Sequence, residues 1–235
     1  MKKYGNRIWG VLFMLLMTAL PAKAQLGEIR QNLALGVNVG MNMSKVDFMP
    51  KIKQQSQNGM TMGVTARYMC EKYFKLLCGI QMEINYSQRG WNEKIEDSSE
   101  NTYHRTMNYL EVPLLAHVAF GKDALDKGFK FFVNMGPQFG LFLSEKEHFS
   151  DNWDISSRPN GIVQQYGKSV ENKFDYGILG GLGLEWSTKA GHFLLEGRYY
   201  YGLSDFWGST KKDDFSRSGH SYMGVRLTYL FDFVK

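Results

Sequence analysis

FDYGILGGLGLEW, residues 174–186, is two surfaces written in alternation. Phe174, Tyr176, Ile178, Leu182, Leu184 and Trp186 share one face. Asp175, Gly177, Gly181, Gly183 and Glu185 share the other, with Leu179 among them. A period of two residues is that of a strand, here with an apolar side and a small or polar side. In a soluble sandwich the apolar side would face a core. In a transmembrane barrel it would face lipid, and the polar side would face the lumen.

The same alternation recurs outward from this stretch, in segments 32–43, 59–71, 74–87, 103–120, 129–144, 192–203 and 220–233. The first, NLALGVNVGMNM, alternates throughout and is long enough for a tilted membrane crossing, which needs about 9–11 residues. With residues 174–186 the count is eight, an even number. The connections alternate as well. Segments 44–58, 88–102, 145–173 and 204–219 are long and polar, whereas 72–73, 121–128 and 187–191 are short. This pattern predicts an all-β fold: an eight-stranded antiparallel transmembrane β-barrel. Four long loops lie on one side, with three short turns and both termini on the other. A sheet in lipid must close, so the first strand is expected to pair with the eighth.

The amino terminus supports export. Lys2, Lys3 and Arg7 precede the apolar run IWGVLFMLLMTAL, and Ala22-Lys23-Ala24 is a small-residue cleavage pattern. Residues 1–24 therefore read as a cleaved signal peptide, and 25–235 as one outer-membrane barrel domain starting at Gln25. The other reading of this run is an uncleaved helical anchor, for which it is short. The signal holds four Lys/Arg residues and no acid, so its removal lowers the formal charge from +5 to +1. The basic balance of the full chain then says nothing about nucleic acid, and no nucleic-acid partner is expected.

Nine charged residues fall on the inward face: Arg67, Glu83, Glu111, Lys130, Asp175, Glu185, Glu196, Arg198 and Arg226. Eight strands leave an interior that side chains can fill, so a plugged, ion-paired core is expected; the alternative is a narrow ion or solute path. The glycines of 174–186 would make room for long arms from neighbouring strands. Pro113 lacks a ladder donor and suggests a bulge or bend. Tyr68, Phe74, Tyr86, Phe129, Trp186, Phe193, Phe231 and Phe233 sit near the ends of outward faces and suggest aromatic girdles, or ordinary aromatic enrichment in strands. Cys70 and Cys78 could form a disulfide across a hairpin near Phe74, or could be two small residues against lipid.

No GxSxG, HExxH or phosphate-loop pattern occurs, and no cysteine spacing suggests a metal. His104, His148 and His220 fall near the long-loop end with Ser150, Asp151, Asp205 and Ser209, a set expected on polar loops by chance. His117 reads as a packed polar filler. No catalytic residue, cofactor site or metal site is expected.

Several pieces together resemble the PorT-like small outer-membrane β-barrel proteins of the Bacteroidetes. They are LGVNVGMNMS near the start, YLEVPLLAHV at 109–118, FFVNMGPQFG at 131–140, FDYGILGGLGLE at 174–185, LLEGRYYYGLSD at 194–205 and YMGVRLTYLF at 222–231. The resemblance implies an eight-stranded barrel in the outer membrane, and no single activity. Glu111, Pro113, Asp175, Gly181 and Gly183 carry over as pattern residues. Many such barrels end on an aromatic residue, whereas here Phe233 is followed by Val234 and Lys235. Three functions are compatible with this reading: a non-enzymatic barrel that anchors, binds or supports the envelope; a component of a secretion or surface-assembly machine; and a narrow channel. The expected partners are outer-membrane lipid and envelope or secretion-machinery proteins.

Overall fold

Backbone polar groups in hydrocarbon must find partners within the protein. The computed structural model, which describes residues 28–73, 75–96, 101–121, 128–155 and 162–234, satisfies this by closing a barrel. Its strands are β1 (Glu28–Met49), β2 (Gln54–Tyr73), β3 (Leu76–Glu93), β4 (Tyr103–Gly121), β5 (Gly128–Phe149), β6 (Phe174–Thr188), β7 (Gly191–Gly202) and β8 (Arg217–Val234). Each pairs antiparallel with its sequence neighbour, and β1 closes on β8, for example Leu35 with Phe231. The expected signal peptide and the outward placement of Phe74 lie outside the described residues.

Orientation follows the alternation. On β6, Leu182, Leu184 and Trp186 are exposed on the outer wall, while Asp175, Leu179 and Glu185 are buried. Gly181 is required by the lumen: a Cβ there would lie 2.2 Å from Glu196 Oε1 and 3.2 Å from Arg198 Cγ. Gly183 likewise admits the Phe132 ring, whose Cζ would be 2.6 Å from a Cβ. In the β6–β7 turn Gly191 has φ +140°, which other residues rarely adopt.

Several strands are longer than the sequence pattern implied. Segments 44–58 and 88–102 were expected as polar loops. Instead β1 runs to Met49, β2 starts at Gln54, and β3 continues to Glu93. Likewise β5 extends to Phe149. The cause is an inversion of the alternation. Within the apolar band Met41 and Met43 point out and Asn42 and Ser44 point in. Beyond it Lys45 and Asp47 are exposed while Val46 and Phe48 are buried. Below the boundary the wall meets lipid; above it the wall meets water and an apolar core forms inside. That core contains Phe48, Trp91, Tyr103, Met107, Phe206 and Trp207.

Pro113 does not cause a bulge. The register between β4 and β5 is the same on both sides of it, and the irregularity falls between Asn108 and Tyr109. A bulge needs an extra residue, whereas proline removes only one donor. Cys70 and Cys78 are both free. The β2–β3 register shifts between Met69 and Glu71, so that Cys78 faces Glu71 and Cys70 is displaced from it.

Aromatic residues form a row on the outer wall near the short turns. Phe129 stacks on Trp186 at 5.9 Å, Trp186 contacts Phe193 at 6.0 Å, and Phe193 contacts Tyr229 at 5.0 Å between centroids. Nearer the long connections Phe139, Phe174 and Tyr176 form a second group. Such belts suit the two membrane interfaces.

Candidate functional site

The lumen is a stack of apolar and ionic layers. Nearest the short turns, Ala34, Met69, Leu77, Ala119, Phe132, Leu194 and Leu230 form a small apolar cluster. Close to it Arg67 forks onto Glu185, at 2.6 and 3.2 Å. Lys130 Nζ donates to Ser187 Oγ at 2.6 Å.

The middle layer centres on Glu83. Its Oε2 accepts from Arg198 Nη1 at 2.8 Å, from Arg226 Nη1 at 2.6 Å and from Asn85 Nδ2 at 2.8 Å. Its Oε1 accepts from Arg198 Nη2 at 2.5 Å and Gln81 Nε2 at 2.7 Å. Arg198 also donates to Glu196, at 2.7 Å, and Asn134 bridges Glu196 to His117. Thus β3, β7 and β8 are tied across the lumen by one carboxylate. His117 is a buried member of this network, as its inward position implied.

A third layer holds Arg89. Its Nε donates to Glu111 at 2.7 Å and its Nη1 to Asp175 at 2.6 Å. The guanidinium lies over the rings of Tyr200, Tyr109 and Tyr222 at 4.6, 4.9 and 5.0 Å. Burial of a guanidinium is tolerated here because carboxylates take its donors and ring faces cover it. Arg89 was missed in the sequence because it lies in the extension of β3, which reads as loop. Its inward parity with Glu83 was the available signal.

The loop end is capped by the aromatic core. Phe48 stacks on Trp207 at 5.5 Å, and Trp91 meets Phe48 edge-on at 5.1 Å. Arg105 anchors the connections to this core: it pairs with Glu145 and Glu147 and donates to the carbonyls of Gln165 and Lys168 at 3.3 and 2.6 Å. Burial, then the hydrogen bond to Glu147, pushes the Tyr103 hydroxyl far above its ordinary pKa.

The histidines singled out near this end do not converge. His220 is buried, 3.1 Å from the Tyr109 hydroxyl, and stacks on Phe206. His104 and His148 stack on each other at 4.3 Å, on the opposite face of β4 and β5. Burial, then the neighbouring His148, lowers the His104 pKa. Ser150 Oγ accepts from the Thr102 backbone, and Asp205 accepts from the Ser218 backbone.

A Ser–His–acid set does occur at the opposite end, where sequence reasoning did not place it. Ser187 Oγ is 2.9 Å from His192 Nδ1, and His192 Nε2 is 3.0 Å from Asp232. Its connectivity is not that of an activated nucleophile. Ser187 donates to Glu185 at 3.0 Å, and the same His192 nitrogen lies 2.8 Å from Glu185. Ser187 is also only 3% exposed, which leaves no approach for a substrate. Among the described residues no group of three or more metal-binding side chains occurs.

A family model described as "Outer membrane protein beta-barrel domain" matches residues 23–208. No curated protein matches the chain. Among solved structures, the chain is similar to the attachment invasion locus protein Ail of Yersinia pestis, with 13% identity, covering 86% of this chain and 100% of that one, at a TM-score of 0.37. It is also similar to the outer membrane protein OprG of Pseudomonas aeruginosa, with 11% identity, 87% and 98% coverage and a TM-score of 0.46. Neisserial surface protein A gives 10% identity, 85% and 97% coverage and a TM-score of 0.38.

Proposed function

The chain belongs to the outer membrane protein beta-barrel domain family, and from that premise we propose that it is a non-enzymatic barrel whose filled lumen anchors a rigid binding platform at the cell surface. The observation that carries this reading is the Glu83–Arg198–Arg226 cluster, which ties three strands across the lumen with buried ion pairs. The aromatic core beyond the apolar band supports the platform: β1, β2, β3, β4 and β5 continue past the lipid-facing wall, and packed rings join the ends of β1, β3, β4 and β5 through Phe48, Trp91, Tyr103 and Phe149. A preorganised surface loses less entropy on binding than mobile loops would. In this reading the loop end faces outside, in keeping with the usual asymmetry of such barrels.

The motif set quoted above supports a place among the PorT-like barrels of the Bacteroidetes, with envelope proteins as partners. Residues 1–24 would direct export. Planar-bilayer recording of the purified full chain separates the filled barrel from a narrow channel. The expected result is no unitary conductance; stable single-channel steps at low voltage would overturn the filled-lumen reading.

A further inference from the structure

Two histidines stand on the outside of the wall, where the filled lumen gives them no part. Beyond Leu143, an exposed residue of the apolar wall, β4 and β5 continue with three outward pairs. They are Asn108 with Ser144, Thr106 with Lys146, and His104 with His148. The histidine pair is four residues past the first of these, about 13 Å along the strands and within the polar zone. Because the two residues face each other directly, their imidazoles leave the same side of the sheet as neighbours. On the third strand Asn92 faces His104.

The rings lie nearly parallel, with 12° between their planes and 4.3 Å between centroids. Among the described residues no hydrogen bond or ion pair engages either imidazole, and Nδ1 of His148 is buried without a partner. Burial, then the neighbouring His148, holds the His104 pKa below its ordinary value, so this ring is neutral at pH 7 and has a lone pair to give. A tetrahedral ion bound by two nitrogens at about 2.0–2.1 Å holds them about 3.4 Å apart. A small turn of either ring about its Cβ–Cγ bond brings one nitrogen of each to that spacing. The charged neighbour on this face is Lys146, a cation one pair nearer the membrane. The local field therefore draws no cation here, and only coordination to nitrogen can hold one.

We propose that His104 and His148 form a two-imidazole site for a divalent transition ion, Cu2+ before Zn2+, with water in the remaining positions. Imidazole suits both ions, and Cu2+ stands above Zn2+ in affinity for a given nitrogen site. Mg2+ and Ca2+ take oxygen ligands and find none in this pair. The strand ladder fixes both ligands in advance, so once one imidazole holds the ion the other meets it at high effective concentration. This site goes beyond the binding platform and does not depend on it, because the pair lies outside the wall, away from the lumen and the aromatic core.

The full chain, free of any histidine tag, is titrated with Cu2+ in uncharged detergent micelles and followed by electron paramagnetic resonance. One ion per chain should bind, with coupling to two imidazole nitrogens. Zn2+ should displace it only in excess, and Mg2+ and Ca2+ should leave the spectrum unchanged. His104→Gln and His148→Gln should each weaken binding roughly 100-fold, the loss of one arm of a chelate. A heat-modifiable gel shift confirms that each variant folds. The other histidines, His117, His192 and His220, are buried and stay in place. A wild-type spectrum with one coupled imidazole, or none, would overturn the proposal even if a variant failed to fold. Wild-type affinity in either single variant would also overturn it, since an ion held at the amino terminus survives both substitutions. Displacement of Cu2+ by Mg2+ or Ca2+ would do the same, by showing oxygen ligands.

Discussion

Glu83→Gln is expected to destabilise the barrel by about 3–5 kcal/mol, the cost of removing one partner from a buried ion pair. Glu83 is 1% exposed and accepts hydrogen bonds from both Arg198 and Arg226. Arg198 keeps Glu196 after the substitution. Arg226 has no other acidic partner among the described residues, so its charge is left buried against Thr61 and an amide. Adding Arg226→Met to Glu83→Gln should recover part of the loss, because the stranded charge is then gone. The measurement is reversible urea unfolding in lipid vesicles, with folded protein scored by heat-modifiable mobility. A loss below about 1 kcal/mol, or no recovery in the double variant, would mean that water reaches the cluster and that the lumen is not sealed.

Val225→Arg tests the other face of the same strand. Val225 is 56% exposed on the outer wall, between Met41 of β1 and Gly197 of β7, whereas its neighbour Arg226 is buried at 2%. Arginine at midplane depth in a barrel wall costs about 2–4 kcal/mol, falling to about 0–1 near the interfaces. The penalty should therefore shrink when the arginine is moved to Met223, beside the boundary at Ser221, or to Tyr229, in the aromatic row near the turns. If Val225→Arg folds in vesicles as well as the wild type, Val225 does not face hydrocarbon.

The strands were legible wherever one face meets lipid. In residues 174–186 lipid selects every second side chain, so the alternation alone gives both strand and orientation. Reading stopped where the solvent changes. At Lys45–Val46–Asp47–Phe48 the wall passes from lipid into water and the inward face becomes apolar, so the same rule yields a polar loop. Arg89 and Trp91 were lost for that reason, although their parity continues that of Glu83. The inward charges were legible as a set but not as pairs. Arg226, one of the nine inward charges, meets Glu83, which is 143 residues away. Which partners meet across a barrel depends on the stagger of its strands, and no local pattern encodes that. The bulge between Asn108 and Tyr109 was equally hidden, since no proline or glycine marks it.

The central claim is that this chain folds with hydrocarbon, not water, against its outer wall. Wild-type protein is diluted from urea into lipid vesicles and, in parallel, into buffer free of lipid and detergent. Each sample is then run unheated on a gel. A compact, heat-modifiable band should appear only with the vesicles, because exposed rows such as Val37, Met41, Leu182 and Val225 have no partner in water. A soluble, monomeric folded band in plain buffer would contradict the account.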